Sequence, residues 1–224
     1  MARRKKESED TLVNLLEVRN SIKKTVEKYQ NVILGGVLAL VVIVGGYILY
    51  KNVVLGPKEK NAAEAMFQAQ FQFERDSFAN ALANPGGGFE GFLDIIDNYS
   101  GTSAANGAQY YSAVSYMHLN EFDEALYHIN KFNADGTVMK IMKNGLLGDI
   151  HSENKNWEKA IGSYKDASSY NNNLLTPYYL NKLALLQDRQ GLKDEARSSF
   201  KKIKEEYPES NEVNEAVKYL ALQE

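Results

Sequence analysis

The sequence predicts an all-α chain: a single N-terminal transmembrane helix followed by an α-solenoid of repeated helical hairpins. Three observations carry this. Residues 32–50 read VILGGVLALVVIVGGYILY, without a single charge. Further on, Ala125, Ala160 and Ala196 recur 35 and 36 residues apart inside similar phrases. Finally, the series Phe92, Ile95, Tyr99, Thr102, Ala108, Tyr111, Ala113 returns 108 residues later. It reappears as Phe200, Ile203, Tyr207, Ser210, Ala216, Tyr219, Ala221, at three times a period of 36.

The apolar run is long enough to span a bilayer. Nineteen helical residues rise about 28 Å against a hydrocarbon thickness of roughly 30 Å. A buried strand would be far shorter. A cleaved export signal needs a short basic lead and a small-x-small exit, whereas this run follows 31 residues and exits through Lys51-Asn52-Val53-Val54. The expectation is a permanent anchor. Gly35, Ala39, Val42 and Gly46 fall on one stripe, where small residues let membrane helices approach closely.

Charge is divided across the run. Residues 1–31 hold eight Lys/Arg and five Asp/Glu, a balance of +3, while residues 51–224 balance to −6. The positive-inside rule therefore predicts residues 1–31 in the cytoplasm and the remainder across the membrane. Within the lead, Leu12, Leu15, Leu16, Arg19, Ile22, Val26 and Tyr29 follow 3/4 spacing, predicting an amphipathic helix over 9–31. Arg19, Lys23, Lys24 and Lys28 mark its polar side. An acidic body argues against nucleic acid as partner. The chain has no cysteine, which removes disulfides, thiol chemistry and lipoprotein anchoring.

After a linker at 51–57, residues 58–105 read as a degenerate first unit. Met66, Phe67, Phe71 and Phe73 lie on its first helix, and Asn84-Pro85-Gly86-Gly87-Gly88 breaks the chain. Gly88 falls where the later units carry alanine. Residues 106–210 hold three fuller units, 106–139, 141–174 and 177–210, and residues 211–224 form a capping helix. Twelve residues before each alanine sits a small residue (Ala113, Gly148, Ala184); four after it comes a bulky one (Ile129, Tyr164, Phe200). Two helices cross closely where small residues face each other, and the bulky side chain fills the space beside them.

This pattern resembles the tetratricopeptide repeat. It departs at Asn120 and Lys155, which stand where a mid-turn glycine is usual, and at His151 and Gln187, where an aromatic is common. The resemblance implies a concave, protein-binding groove. Its residues would be Tyr110, Val114, Met117 and His118 in the first full unit. Met142, Asp149, Ser152 and Glu153 follow in the second, and Tyr178, Asn181, Leu185, Asp188 and Arg189 in the third. The Lys/Asn set with which one branch grips acidic peptide termini is missing. A groove of apolar and acidic character suits an apolar or basic extended segment.

No catalytic or cofactor pattern accompanies the repeats. His118, His128 and His151 have no metal-ligand spacing, and Gly86-Gly87-Gly88 lacks the Lys-Ser/Thr of a phosphate loop. No Gly-x-Ser-x-Gly elbow occurs. The expectation is a non-enzymatic protein with no metal, cofactor or small-molecule substrate.

An uncleaved anchor followed by such repeats resembles the YfgM-like ancillary proteins of the bacterial Sec translocon. The likeness is carried by Ile22-Lys-Lys-Thr-Val-Glu27-Lys-Tyr-Gln-Asn31-Val-Ile-Leu-Gly-Gly36, Met66-Phe-Gln-Ala-Gln70 and Gly91-Phe-Leu-Asp-Ile-Ile-Asp97-Asn-Tyr99. The last two resemble versions from Bacteroidetes-type bacteria. The resemblance implies a single-pass inner-membrane protein with a periplasmic repeat domain, acting as a scaffold at the translocon. It implies as partners the translocon channel subunits, a periplasmic prolyl-isomerase-like chaperone and newly exported chains. An adaptor of an envelope-assembly or secretion machine is the competing reading.

Overall fold

The computed structural model describes the backbone of residues 2–222, and the side chains of residues 19, 22–24 and 27–222. Every regular element among them is helical. The chain divides into two compact units, Met1–Pro57 and Lys58–Glu224.

The first unit contains α1 (Ala2–Leu49) and a π-helical stretch (Tyr50–Leu55). The stretch expected as a linker is thus largely π-helical. Four glycines at 35, 36, 45 and 46 would weaken such a helix in water by about 1 kcal/mol each. In a bilayer the helical hydrogen bonds are obligatory and override that preference. All residues from Val32 to Tyr50 are exposed except half-buried Gly45. The helix is long and apolar enough to cross a membrane, and none of its apolar window is buried. Gly35 and Gly46 face open space. Leu12, Leu15, Leu16 and Val26 of the amphipathic pattern lie outside the described side chains.

The second unit begins within the first turn of α2 (Gly56–Phe73) and holds α3 (Phe78–Ala83), α4 (Phe92–Asn98), α5 (Ser103–His118) and α6 (Phe122–Lys131). It continues through α7 (Gly136–Glu153), α8 (Trp157–Ala167), α9 (Leu175–Arg189), α10 (Lys193–Glu206) and α11 (Val213–Ala221). The pairs α5/α6, α7/α8 and α9/α10 are the repeated hairpins. Ala113 and Ala125, and Ala184 and Ala196, are fully buried at the crossings. At the middle crossing Gly148 and Ala160 are both buried. A β-carbon on Gly148 would stand 2.4 Å from the Tyr164 ring, which explains why this copy needs glycine.

The hairpin turns share one backbone solution. Asn120, Lys155 and Gly191 have φ of 63°, 59° and 79°. The next residue's N–H reaches back five residues to a helix carbonyl: Glu121 to Tyr116 (2.9 Å), Asn156 to His151 (2.8 Å) and Leu192 to Gln187 (2.9 Å). This is the Schellman arrangement, which satisfies carbonyls that a helix end leaves unpaired.

The same turn occurs once more, where the sequence pattern does not show it. Asp76 has φ 56°, and Ser77 N–H donates to Gln72 O at 3.0 Å. That sets Ala81, fully buried, at the alanine position of the first unit, with fully buried Ala69 twelve residues before it. Gly88 does not hold that place: it is exposed, with φ 75°, in a loop. Phe92 lies eleven residues after Ala81, whereas its counterpart Phe200 lies four after Ala196. Seven inserted residues therefore split the second helix of this unit into α3 and α4. Gly91 lets the two halves approach, since a β-carbon there would stand 2.2 Å from Leu82 O. Asp94 caps α4 by accepting from Gly91 N–H at 3.1 Å.

Each hairpin buries its own cluster, and neighbours share clusters. Phe92 and Ile95 pack with Met66, Ala69, Ala81 and Ala108, joining α2, α3, α4 and α5. Phe200, Ile203 and Tyr207 pack with Leu180, Ala184 and Ala216, so α11 closes the last hairpin. Tyr219 of α11 lies against Phe200 with ring centroids 4.3 Å apart.

Candidate functional site

The site is built on the first helices of successive hairpins, where α7 and α9 lie side by side. Here the chain forms an open cleft of about 330 Å³. Six residues expected in the groove line it: Met117 from α5, Asp149, Ser152 and Glu153 from α7, and Leu185 and Arg189 from α9. The spacing of four along a helix turns these side chains to one face.

Three further lining residues are Tyr164, Lys182 and Leu186. Lys182 Nζ donates to Asp149 Oδ1 at 2.7 Å, and Tyr164 Oη donates to the same oxygen at 2.6 Å. The ammonium lies 5.0 Å from the centroid of Tyr178 and 5.9 Å from that of Tyr164. Such faces attract cations through the ring quadrupole. Burial works against the charged lysine, yet the Asp149 carboxylate outweighs it and holds the Lys182 pKa above its ordinary value. Burial raises the Tyr164 hydroxyl pKa, and the charge of Asp149 adds to the rise. Burial pushes Tyr110 up to about 12, with Asp149 adding its charge.

The pairing alters the character of the groove. Asp149 is neutralised by a neighbour from the next hairpin, leaving Glu153 and Arg189, both exposed, as the rim charges of the cleft. The lining is therefore nearly balanced in charge, with Met117, Leu185 and Leu186 as its apolar part. Tyr178 stays 42% exposed beside Lys182, so its ring is available to a ligand.

The remaining groove candidates are engaged elsewhere. Asn181 Nδ2 donates to Glu215 of α11 at 2.7 Å. Asp188 accepts from Lys193 and from Tyr219 of α11, both at 2.5 Å, and these bonds hold its carboxyl pKa below the usual range. The capping helix thus occupies the positions that face the next hairpin in earlier units. Tyr110 packs against Phe132, with centroids 5.4 Å apart, and Val114 is half-buried in the α5–α6 cluster. His118 stacks on Phe78 at 4.4 Å. Met142 is half-buried and does not line the cleft.

Among the described residues, no group of three or more His, Asp or Glu side chains is placed to hold a metal ion. His128 is buried, its Nδ1 2.8 Å from Gln109 Oε1 and its ring stacked on Tyr116. Burial holds its pKa below the ordinary value, against the opposing pull of Glu124.

Lys182 is missed by the repeat register because it stands one residue beyond a groove position. The available signal was the pairing of opposite charges on adjacent first helices, Asp149 and Lys182 being 33 residues apart. No curated protein and no solved structure matches the chain. A family model described as tetratricopeptide repeat matches residues 180–210, which cover most of α9, the turn at Gly191 and α10. That module is a protein-interaction scaffold and indicates no catalytic family. The chain is all-helical, with one long apolar N-terminal helix and a tetratricopeptide repeat in its helical body.

Proposed function

We propose that the chain is a non-enzymatic, single-pass scaffold of the bacterial inner membrane whose groove holds extended protein segments beside the Sec translocon. In this reading the N-terminus is cytoplasmic and the repeat domain periplasmic. The protein assists newly exported chains and recruits a periplasmic prolyl-isomerase-like chaperone. The observation that carries the reading is the open cleft across α7 and α9, in a chain that also carries one exposed apolar helix of spanning length. The two parts complement each other physically. Tethering raises effective concentration, so a weak groove contact suffices at the membrane and still lets cargo go.

The charge balance of the cleft refines what it takes. With Asp149 tied to Lys182, the groove favours an extended, largely apolar segment over a strongly basic one. Leu185 and Glu153 supply the accessible contacts. Charge reversal at Asp149 and Glu153 together should weaken capture, but at Asp149 it would also place a cation against Lys182. Glu153→Arg is the cleaner single variant.

Affinity capture of the full chain from mild detergent, read by mass spectrometry, tests the proposal. Channel subunits and a periplasmic isomerase among the captured proteins support it, with capture falling roughly tenfold in Leu185→Asp. Outer-membrane or secretion-machine components alone would replace it with the adaptor reading.

A further inference from the structure

We propose that the N-terminal border of the span is a binding site for anionic lipid headgroups, formed by Lys28, Lys24 and Lys23 with Tyr29. The inference rests on the membrane-anchor reading above and adds a ligand to it. Helix α1 runs unbroken from Ala2 to Leu49, so the rise of about 1.5 Å per residue fixes how far each side chain stands from the apolar boundary. Measured from Val32, Tyr29 lies at about 4–5 Å, Lys28 at about 6 Å, Lys24 at about 12 Å and Lys23 at about 14 Å. Arg19 lies at about 20 Å. The headgroup layer is roughly 5–8 Å thick on each side, and the Debye length under physiological salt is about 8 Å. Lys28 therefore sits among the headgroups, Lys24 and Lys23 within about one screening length of them, and Arg19 beyond it.

The side chains are arranged for that role. All four cations and Tyr29 are exposed among the described residues. Lys28 Nζ lies 5.2 Å from the Tyr29 ring centroid, placing an ammonium and an interfacial aromatic at one level. Among the described residues of this flank, Lys23 alone meets a carboxylate, Glu27 at 4.0 Å, and exposed pairs of that kind contribute little. Lys24 and Lys28 are one turn apart and form a ladder along the axis. Flexible lysine stems let both ammonium groups reach lipid phosphates. Charge complementarity selects the occupant: a cluster of ammonium groups at headgroup depth favours lipids of net negative charge over zwitterionic ones.

The depth ladder makes the proposal testable. Tyr29→Trp places a reporter at the boundary of the full chain reconstituted in mixed bilayers of phosphatidylglycerol and phosphatidylcholine. The native Trp157 signal is subtracted using the parent protein. Either lipid is brominated in turn, and quenching reports which one neighbours the boundary. The expected result is stronger quenching by the brominated phosphatidylglycerol, with Lys28→Gln removing about fivefold of the preference. Lys24→Gln should remove less, and Arg19→Gln should leave the preference unchanged. Equal quenching by both lipids, or a preference insensitive to Lys28→Gln, overturns the lipid site while leaving the anchor intact. Absence of quenching by either lipid overturns the anchor reading, and the lipid site with it.

Discussion

Lys155 holds a left-handed backbone conformation that a side chain makes costly by about 1–2 kcal/mol. Gly191 occupies the same turn one hairpin later without that strain. Lys155→Gly should therefore raise stability by about 1 kcal/mol, read as a higher midpoint in urea unfolding. Asn120→Gly should gain less, because asparagine tolerates this region better than lysine. A different residue governs acid stability. The His128 pKa is lowered by burial, so the unfolded chain binds the proton more readily than the folded one. Stability from this site is full above about pH 6.5 and is lost as pH falls through the lower folded value. His128→Gln should flatten the drop in melting temperature between about pH 7.5 and pH 5. His151, whose pKa burial also lowers, should leave a residual slope.

The helices themselves differ in how plainly the sequence shows them. The hairpins α5 to α10 are legible because buried small residues must recur at one spacing for each crossing to close. The first unit obeys the same crossing rule with Ala69 and Ala81, but seven extra residues displace the rest of its pattern. Periodicity then points to Gly88, since an insertion within a helix shifts the spacing on one side only. The π-helical stretch is likewise hidden, because its wider turn carries no residue signature as distinct as a cap or a break. In the groove, helix-face spacing reveals Met117, Glu153 and Leu185, whereas the partner of Asp149 comes from another hairpin. The capping helix α11 makes its own prediction. Ala216 fills the seat beside Phe200 and Ile203, and Tyr219 covers Phe200. Truncation after Ser210 should bare that cluster, and hydrogen exchange should rise first in α9 and α10, with α5 and α6 little changed.

As a whole the chain is two units with separate demands on their surroundings. Residues 58–224 bury their own clusters, while the apolar side chains of residues 32–50 remain exposed along a helix of membrane-spanning length. A protein trimmed to residues 58–224 should melt within about 2 °C of the helical body in the full chain, the 1 kcal/mol equivalent for a domain of this size being about 2–4 °C. On the proposed anchoring, coprecipitation of membrane partners should fall sharply, because the local concentration supplied by residues 32–50 is gone. A large loss of thermal stability on trimming would mean that the helical body depends on the first unit.

The split second helix of the first unit has a mechanical consequence. A pull on the N-terminal apolar helix enters the helical body through α2, and α2 packs on two short helices joined by a glycine-rich loop. Each is shorter than the single helix that backs every later hairpin. Hairpins in such an array hold mainly to their neighbours, so they come apart in sequence from a loaded end. The segment next to that helix is thus the one to yield first. It can lengthen under strain while the hairpins that form the cleft keep their shape.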